Sequence, residues 1–176
     1  TDDRSASTVE RRHADGPLSP VDVANLDALR PHLARAALMA SRLRLEKART
    51  AVEILSALRL PAAALSASGR LVVANGDFEA LMPHVVVELS GRLGFAAPEA
   101  SKTLRDVLVD AGRRFAHGLT FPLRGVDRHP LAIVHVLPLV RDGRDIFATA
   151  NWLVFLTGAG IGPGGAAGVL DGLFAL

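Results

Sequence analysis

There is no cysteine among the 176 residues, and this removes disulfides, thiolate-bound metals and cysteine nucleophiles together. Lysine is scarce as well, occurring only as Lys47 and Lys102. The basic charge is therefore arginine, and 20 basic against 18 acidic side chains leave a net +2. So small an excess is weak ground for nucleic-acid binding by these residues. Long apolar runs are missing too. The longest, residues 131–140, is interrupted by His135 and Pro138 and is too short for a bilayer. Residues 1–20 are too polar for a secretory leader. A cytoplasmic protein is expected.

Recognisable reaction chemistry is equally thin. Gly160, Gly162 and Gly165 form a nominal G-x-G-x-x-G. A dinucleotide site also needs a following helix and a second strand bearing an acidic residue. The residues after Gly165 are too few for that unit, so a flexible linker is the better reading. No Gly-Lys-Ser/Thr phosphate loop occurs. The histidines at 13, 32, 84, 117, 129 and 135 have no metal-ligand spacing. No serine stands in a nucleophile-elbow context. Arg113 and Arg114 close a helix, where cations suit the dipole. Neither enzymatic activity nor a metal or cofactor is expected.

What the chain does have is 49% hydrophobic residues, enough for one good core and an additional helix. Residues 1–18 are polar and are expected to be flexible. Ser19 then caps a helix with Pro20 at its first position and Asp22 in its first turn. Apolar residues recur every three or four positions from Leu26 to Leu55, apart from one gap at Arg44. Pro31 is expected to kink or split this run. A helix over 19–58 is longer than a small domain is wide, so part must project or pack on another copy.

Residues 60–82 are the most informative stretch. Ala62 opens an apolar strand, Gly69 supplies a tight turn, and Leu71, Val72 and Val73 form a second strand. Asn75 caps a short helix that carries Phe78 and Leu81 on one face. Further helical turns are expected over 85–90, and a clearer helix over 98–113 with Leu104, Val107, Leu108 and Ala111 on one face. Three strands follow, over 117–123, 130–140 and 147–157. Both parity sets of residues 131–137 are mainly apolar, so something must cover the second face of the sheet. The long helix or a partner's copy of it would serve.

The pattern on Gly69, Leu71, Asn75, Phe78 and Leu81, followed by helices and three strands, resembles the PAS family of sensor domains over 60–157. The resemblance implies an α+β fold, with five antiparallel strands in one sheet and helices on one face, preceded here by the long helix. Residues 16–19 and 26–36 look like the junction helix of bacterial LuxR-type regulators. Leu173, Phe174, Ala175 and Leu176 look like the approach to their helix-turn-helix domain. On this reading residues 158–176 are a Gly-rich linker and the start of the next element. DNA would be met only by a C-terminal domain beyond them, and the long helix and sheet face would form a homodimer. A kinase or cyclic-dinucleotide enzyme could instead follow the module, and a small-molecule-binding α+β enzyme is a further alternative.

The family resemblance also frames the candidate site. Cysteine-adduct flavin chemistry is excluded, and the absence of histidine from 98–113 argues against haem. What remains is a cavity between sheet and helices, suited to a small apolar molecule. Its candidate lining is Phe78, Leu81, Leu104, Val107 and Leu108 from the helices, with Phe115, Phe121, His135 and Trp152 from the strands and their approach. His135 is either the polar contact of this cavity or a core or interface histidine satisfied by hydrogen bonds. His117 is either at the cavity mouth or exposed at a strand end.

Overall fold

The computed structural model describes residues 18–109, 117–124, 130–139 and 150–158. The first helix, α1 (Pro20–Ala57), is a single element of 38 residues, or about 57 Å at 1.5 Å per residue. Its start is a capping box. The Ser19 hydroxyl accepts from the Asp22 amide at 3.2 Å, and the Asp22 carboxylate accepts from the Ser19 amide at 3.0 Å. Its end is a Schellman turn, in which the amides of Arg59 and Leu60 donate back to the carbonyls of Ser56 and Leu55. Arg59 takes the left-handed conformation, φ 58°, that such an end requires.

Pro31 does not split α1. Its neighbours Ala28, Leu29, Arg30, Leu33 and Ala34 are strong helix formers. Both Pro31 and Asp27, whose carbonyl loses its partner, are exposed, so water can solvate the freed group.

Strands β1 (Ala62–Leu65) and β2 (Leu71–Ala74) form the expected hairpin, and Gly69 turns it at φ 82°. The short helix α2 (Gly76–Glu79) follows at once. Residues 85–90 are not helical, contrary to expectation. They contribute β3 (Val86–Leu89), which pairs with β4 (Arg92–Phe95) around Ser90 and Gly91. Both turn residues have positive φ, 54° and 75°, the geometry that matches the twist of a two-residue hairpin. Val85 and Val86 are buried while Glu88 and Leu89 are exposed, and that blurred pattern hid the strand.

Helix α3 (Pro98–Val109) leads toward β5 (Leu119–Arg124), β6 (Pro130–Pro138) and β7 (Trp152–Thr157). The large sheet is antiparallel throughout, in the order β2-β1-β7-β6-β5. The expected turns over 125–128 and 142–145 lie outside the described residues, as do segments 1–17 and 159–176. The architecture is α+β, with one five-stranded antiparallel sheet, a small hairpin and a long N-terminal helix.

The sheet separates two apolar layers. On one face Leu65, Phe121, Val134, Val136, Trp152 and Val154 pack against Phe78, Leu81, Phe95, Leu104 and Val107. On the other, Ala48 and Val52 of α1, with Ala51 and Leu55, cover Ala64, Val72, Val73, Leu153 and Phe155. Ala48 and Ala64 are both fully buried, and their small side chains allow helix and sheet to approach closely.

Asn75 joins these parts. Its Oδ1 accepts from the amides of Phe78 and Ala62, both at 3.0 Å, and its Nδ2 donates to the Leu60 carbonyl at 2.8 Å. One side chain thus caps α2 and holds the α1–β1 junction. Asn75→Ala would orphan the buried Ala62 amide and remove the cap, at a cost of roughly 2–4 kcal/mol. Urea unfolding of the two proteins measures it, and a loss below about 1 kcal/mol would contradict this role.

Candidate functional site

Six of the expected cavity residues come together on the face shared by the sheet, α2 and α3. Phe78, Leu81, Leu104 and Val107 are essentially inaccessible, and Phe121 and Trp152 are also buried. Leu108 is half-buried at the edge of the same cluster. Phe115 lies outside the described residues. The contacts among these side chains are those of a packed layer, with Phe95 meeting Phe121 edge-on at 6.3 Å between ring centroids.

His135 is on the other side. Side chains of a strand alternate between faces, and on β6 it is Ala132, Val134 and Val136 that enter the layer with Trp152. Expecting His135 beside Trp152 in one cavity is therefore corrected. The imidazole stacks on Phe155, its partner across β7, with ring centroids 4.5 Å apart and planes inclined by 11°. Its Nδ1 stands 3.1 Å from the Thr120 hydroxyl and its Nε2 2.9 Å from the Thr157 hydroxyl. Each hydroxyl can donate or accept, so a neutral ring is satisfied in either tautomer. His117 is exposed just before β5.

A cavity of about 620 Å³ lies elsewhere, where α3 faces the β3–β4 hairpin and the β1–β2 turn. Leu89, Leu93, Leu108 and Val109 supply its apolar lining, and Ser68, Ser90, Arg92 and Arg105 its polar lining. Of the expected cavity residues, Leu108 alone reaches it. Sequence reasoning missed Arg92 because the hairpin that presents it was read as helical turns. Arg105 carried a usable signal: Ser101, Arg105 and Leu108 recur at helical spacing on α3 and share the cleft.

The cleft has a firm base. The Ser101 hydroxyl accepts from the Phe95 amide at 2.6 Å and donates to the Phe95 carbonyl at 2.7 Å. The Leu93 amide donates to the Gly69 carbonyl at 2.8 Å, joining the two hairpins. Gly69 takes φ 82°, which favours glycine, and a Cβ there would stand 2.8 Å from Leu108 Cδ1, so that leucine would have to shift.

No protein-family model matches the chain, and neither does any curated protein. Among the described residues, no group of three or more histidine, aspartate or glutamate side chains could hold a metal ion. No helix among them is long and apolar enough to cross a membrane.

The His135 environment sets a pH dependence. Partial burial pulls its pKa below the ordinary 6.5, because desolvation penalises the charged ring. The unfolded chain therefore binds this proton more readily than the folded one. The stabilising effect is complete above the unfolded pKa and is lost as pH falls through the folded value. Relative to His135→Gln, the wild type should lose stability on acidification from about pH 7 to pH 5. Paired urea titrations check this, and parallel pH profiles would contradict it.

Proposed function

We propose that this chain is the sensory and dimerisation module of a cytoplasmic bacterial transcriptional regulator of the LuxR type, with a PAS domain over 60–157. On this reading it is not an enzyme, and DNA is contacted only through a C-terminal domain that follows it. The observation that carries the proposal is one sheet with two differently employed faces. One face is sealed by α2, α3 and the small hairpin. Among the described residues, the other carries the C-terminal part of a 38-residue helix, with Leu139 and Ala150 beside it. The succession of two strands, helices and three strands supports the PAS resemblance. The β3–β4 hairpin within the helical middle departs from the simple pattern.

The part of α1 that precedes its contact with the sheet supports a second copy as its partner. Leu26, Leu29, Leu33, Ala36, Ala40 and Leu43 follow an unbroken 3-4-3-4-3 spacing, the a/d seam of a coiled coil. Leu29, Leu33 and Leu43 are each more than half exposed. This seam lies roughly a quarter turn around the helix from Ala48, Val52 and Leu55, which face the sheet. Helix and domain can thus be held at the same time. Pro31 is on the side away from the seam, where a proline disturbs the interface least. A single exposed helix gains little stability from propensity alone, whereas pairing buries six apolar positions per copy.

The sheet face continues the same surface. Beyond the reach of α1, Ile133 and Leu137 of β6 remain 42% and 39% exposed. A ligand would act by favouring one arrangement of α1 against the sheet, through its different affinity for the two arrangements.

Sedimentation equilibrium tests the dimer. The wild type should be dimeric, and Leu29→Glu with Leu33→Glu should weaken association by roughly two orders of magnitude or more. Both substitutions are at exposed positions, so the circular dichroism of the sheet domain should persist. A monomeric wild type at high concentration would remove the proposal's basis.

A further inference from the structure

We propose that the cleft between α3 and the β3–β4 hairpin binds a small amphipathic anion. Its acidic head would lie with Arg92 and Arg105, and its apolar body with Leu89, Leu93 and Leu108. This deepens the sensory reading and rests on it, but places the ligand outside the packed layer that the sequence suggested.

The size fits: about 620 Å³ lies within the range of small-molecule sites. The charge is one-sided, since among the described residues no aspartate or glutamate lines the cleft. Neither Arg92 nor Arg105 makes an ion pair among the described residues. A guanidinium presents a planar fork of donors that suits a carboxylate or a phosphate. The Ser68 and Ser90 hydroxyls line the same cleft and can supplement that fork.

The apolar lining narrows the choice. Leu89 and Val109 are 53% and 86% exposed, so a hydrocarbon covering them gains from burial. A wholly apolar ligand would strip water from two guanidinium groups and return no acceptor. A wholly polar anion would leave the leucines in water. An acidic head on an apolar body satisfies both.

The walls are also held before any ligand arrives. Ser101 fixes α3 to β4 through two hydrogen bonds, and the Leu93–Gly69 bond fixes the hairpin to the β1–β2 turn. Little ordering cost is left for binding.

The test titrates the full chain with octanoate, octyl phosphate and octanol by calorimetry, and maps contacts by amide NMR. Octanoate or octyl phosphate should bind and shift Gly94, Ser101 and Leu108, and the better of the two identifies the head group. Octanol should bind at least roughly tenfold more weakly. R92A/R105A should lose affinity for the anion by a similar factor while keeping the wild-type circular dichroism, since both side chains are exposed. Equal binding of octanol, unchanged affinity in the double variant, shifts confined to other surfaces, or no binding at millimolar anion would each overturn the site. The two readings fail separately. Anion binding to a chain that sediments as a monomer would leave the site standing and sink the dimeric sensor.

Discussion

The fold depends on a single carboxamide placed where three elements meet. Asn75 closes the second strand, caps the short helix and reaches back to the start of the first strand through hydrogen bonds at 2.8–3.0 Å. Its position is sheltered, so water cannot replace those partners cheaply. By fixing the α1–β1 junction, it sets where the long helix meets the sheet. By capping α2, it directs Phe78 and Leu81 into the layer on the opposite side. Both faces of the sheet therefore depend on one residue at its edge.

From that junction the sheet partitions the molecule. One face is dry and filled by large side chains from every remaining element. The other is covered, among the described residues, where Ala48, Val52 and Leu55 of α1 reach it, with Leu139 and Ala150. Where that cover ends, His135 provides a polar boundary, stacked on Phe155 and bracketed by two threonine hydroxyls. The proposed dimer uses the part of α1 that precedes its contact with the sheet. The proposed ligand cleft opens on the other face, at the edge of the packed layer. Signals between the two would have to cross the sheet, and β1 touches both layers through Ala63 and Ala64.

Much of this was legible in the residues. The Ser19 cap, the Gly69 turn, the Asn75 cap and the later strands each rest on local chemistry, and the structure shows each of them. The mixed apolar parity of residues 131–137 called for a second covering layer; α1 covers Leu153 and Phe155 of β7, while Ile133 and Leu137 of β6 stay partly exposed. What failed turned on burial and pairing, which residue preferences alone do not reveal. Residues 85–90 lack alternation because only their first half is buried, so strand pairing with β4 was invisible. Of the kink or split expected at Pro31, the split does not occur, because its position is exposed and its neighbours are strong helix formers. His135 could be left only as a cavity contact or a histidine satisfied by hydrogen bonds, and the register of β6 against β7 decides for the second.

By itself the sequence determined the α+β class, the long capped helix, the hairpin that opens the domain and the apolar residues of its core. These follow from local preferences and periodicity, which act over a few residues and survive without tertiary context. Only the tertiary structure decided which face each strand residue occupies, how far α1 covers the sheet, and where an open cleft remains. Those depend on strand register and on the packing of residues far apart in the chain. The same rule applies to the stretch around Asn75: its residues announce a turn and a cap, while the carbonyl of Leu60 and the amide of Ala62 turn that cap into a keystone.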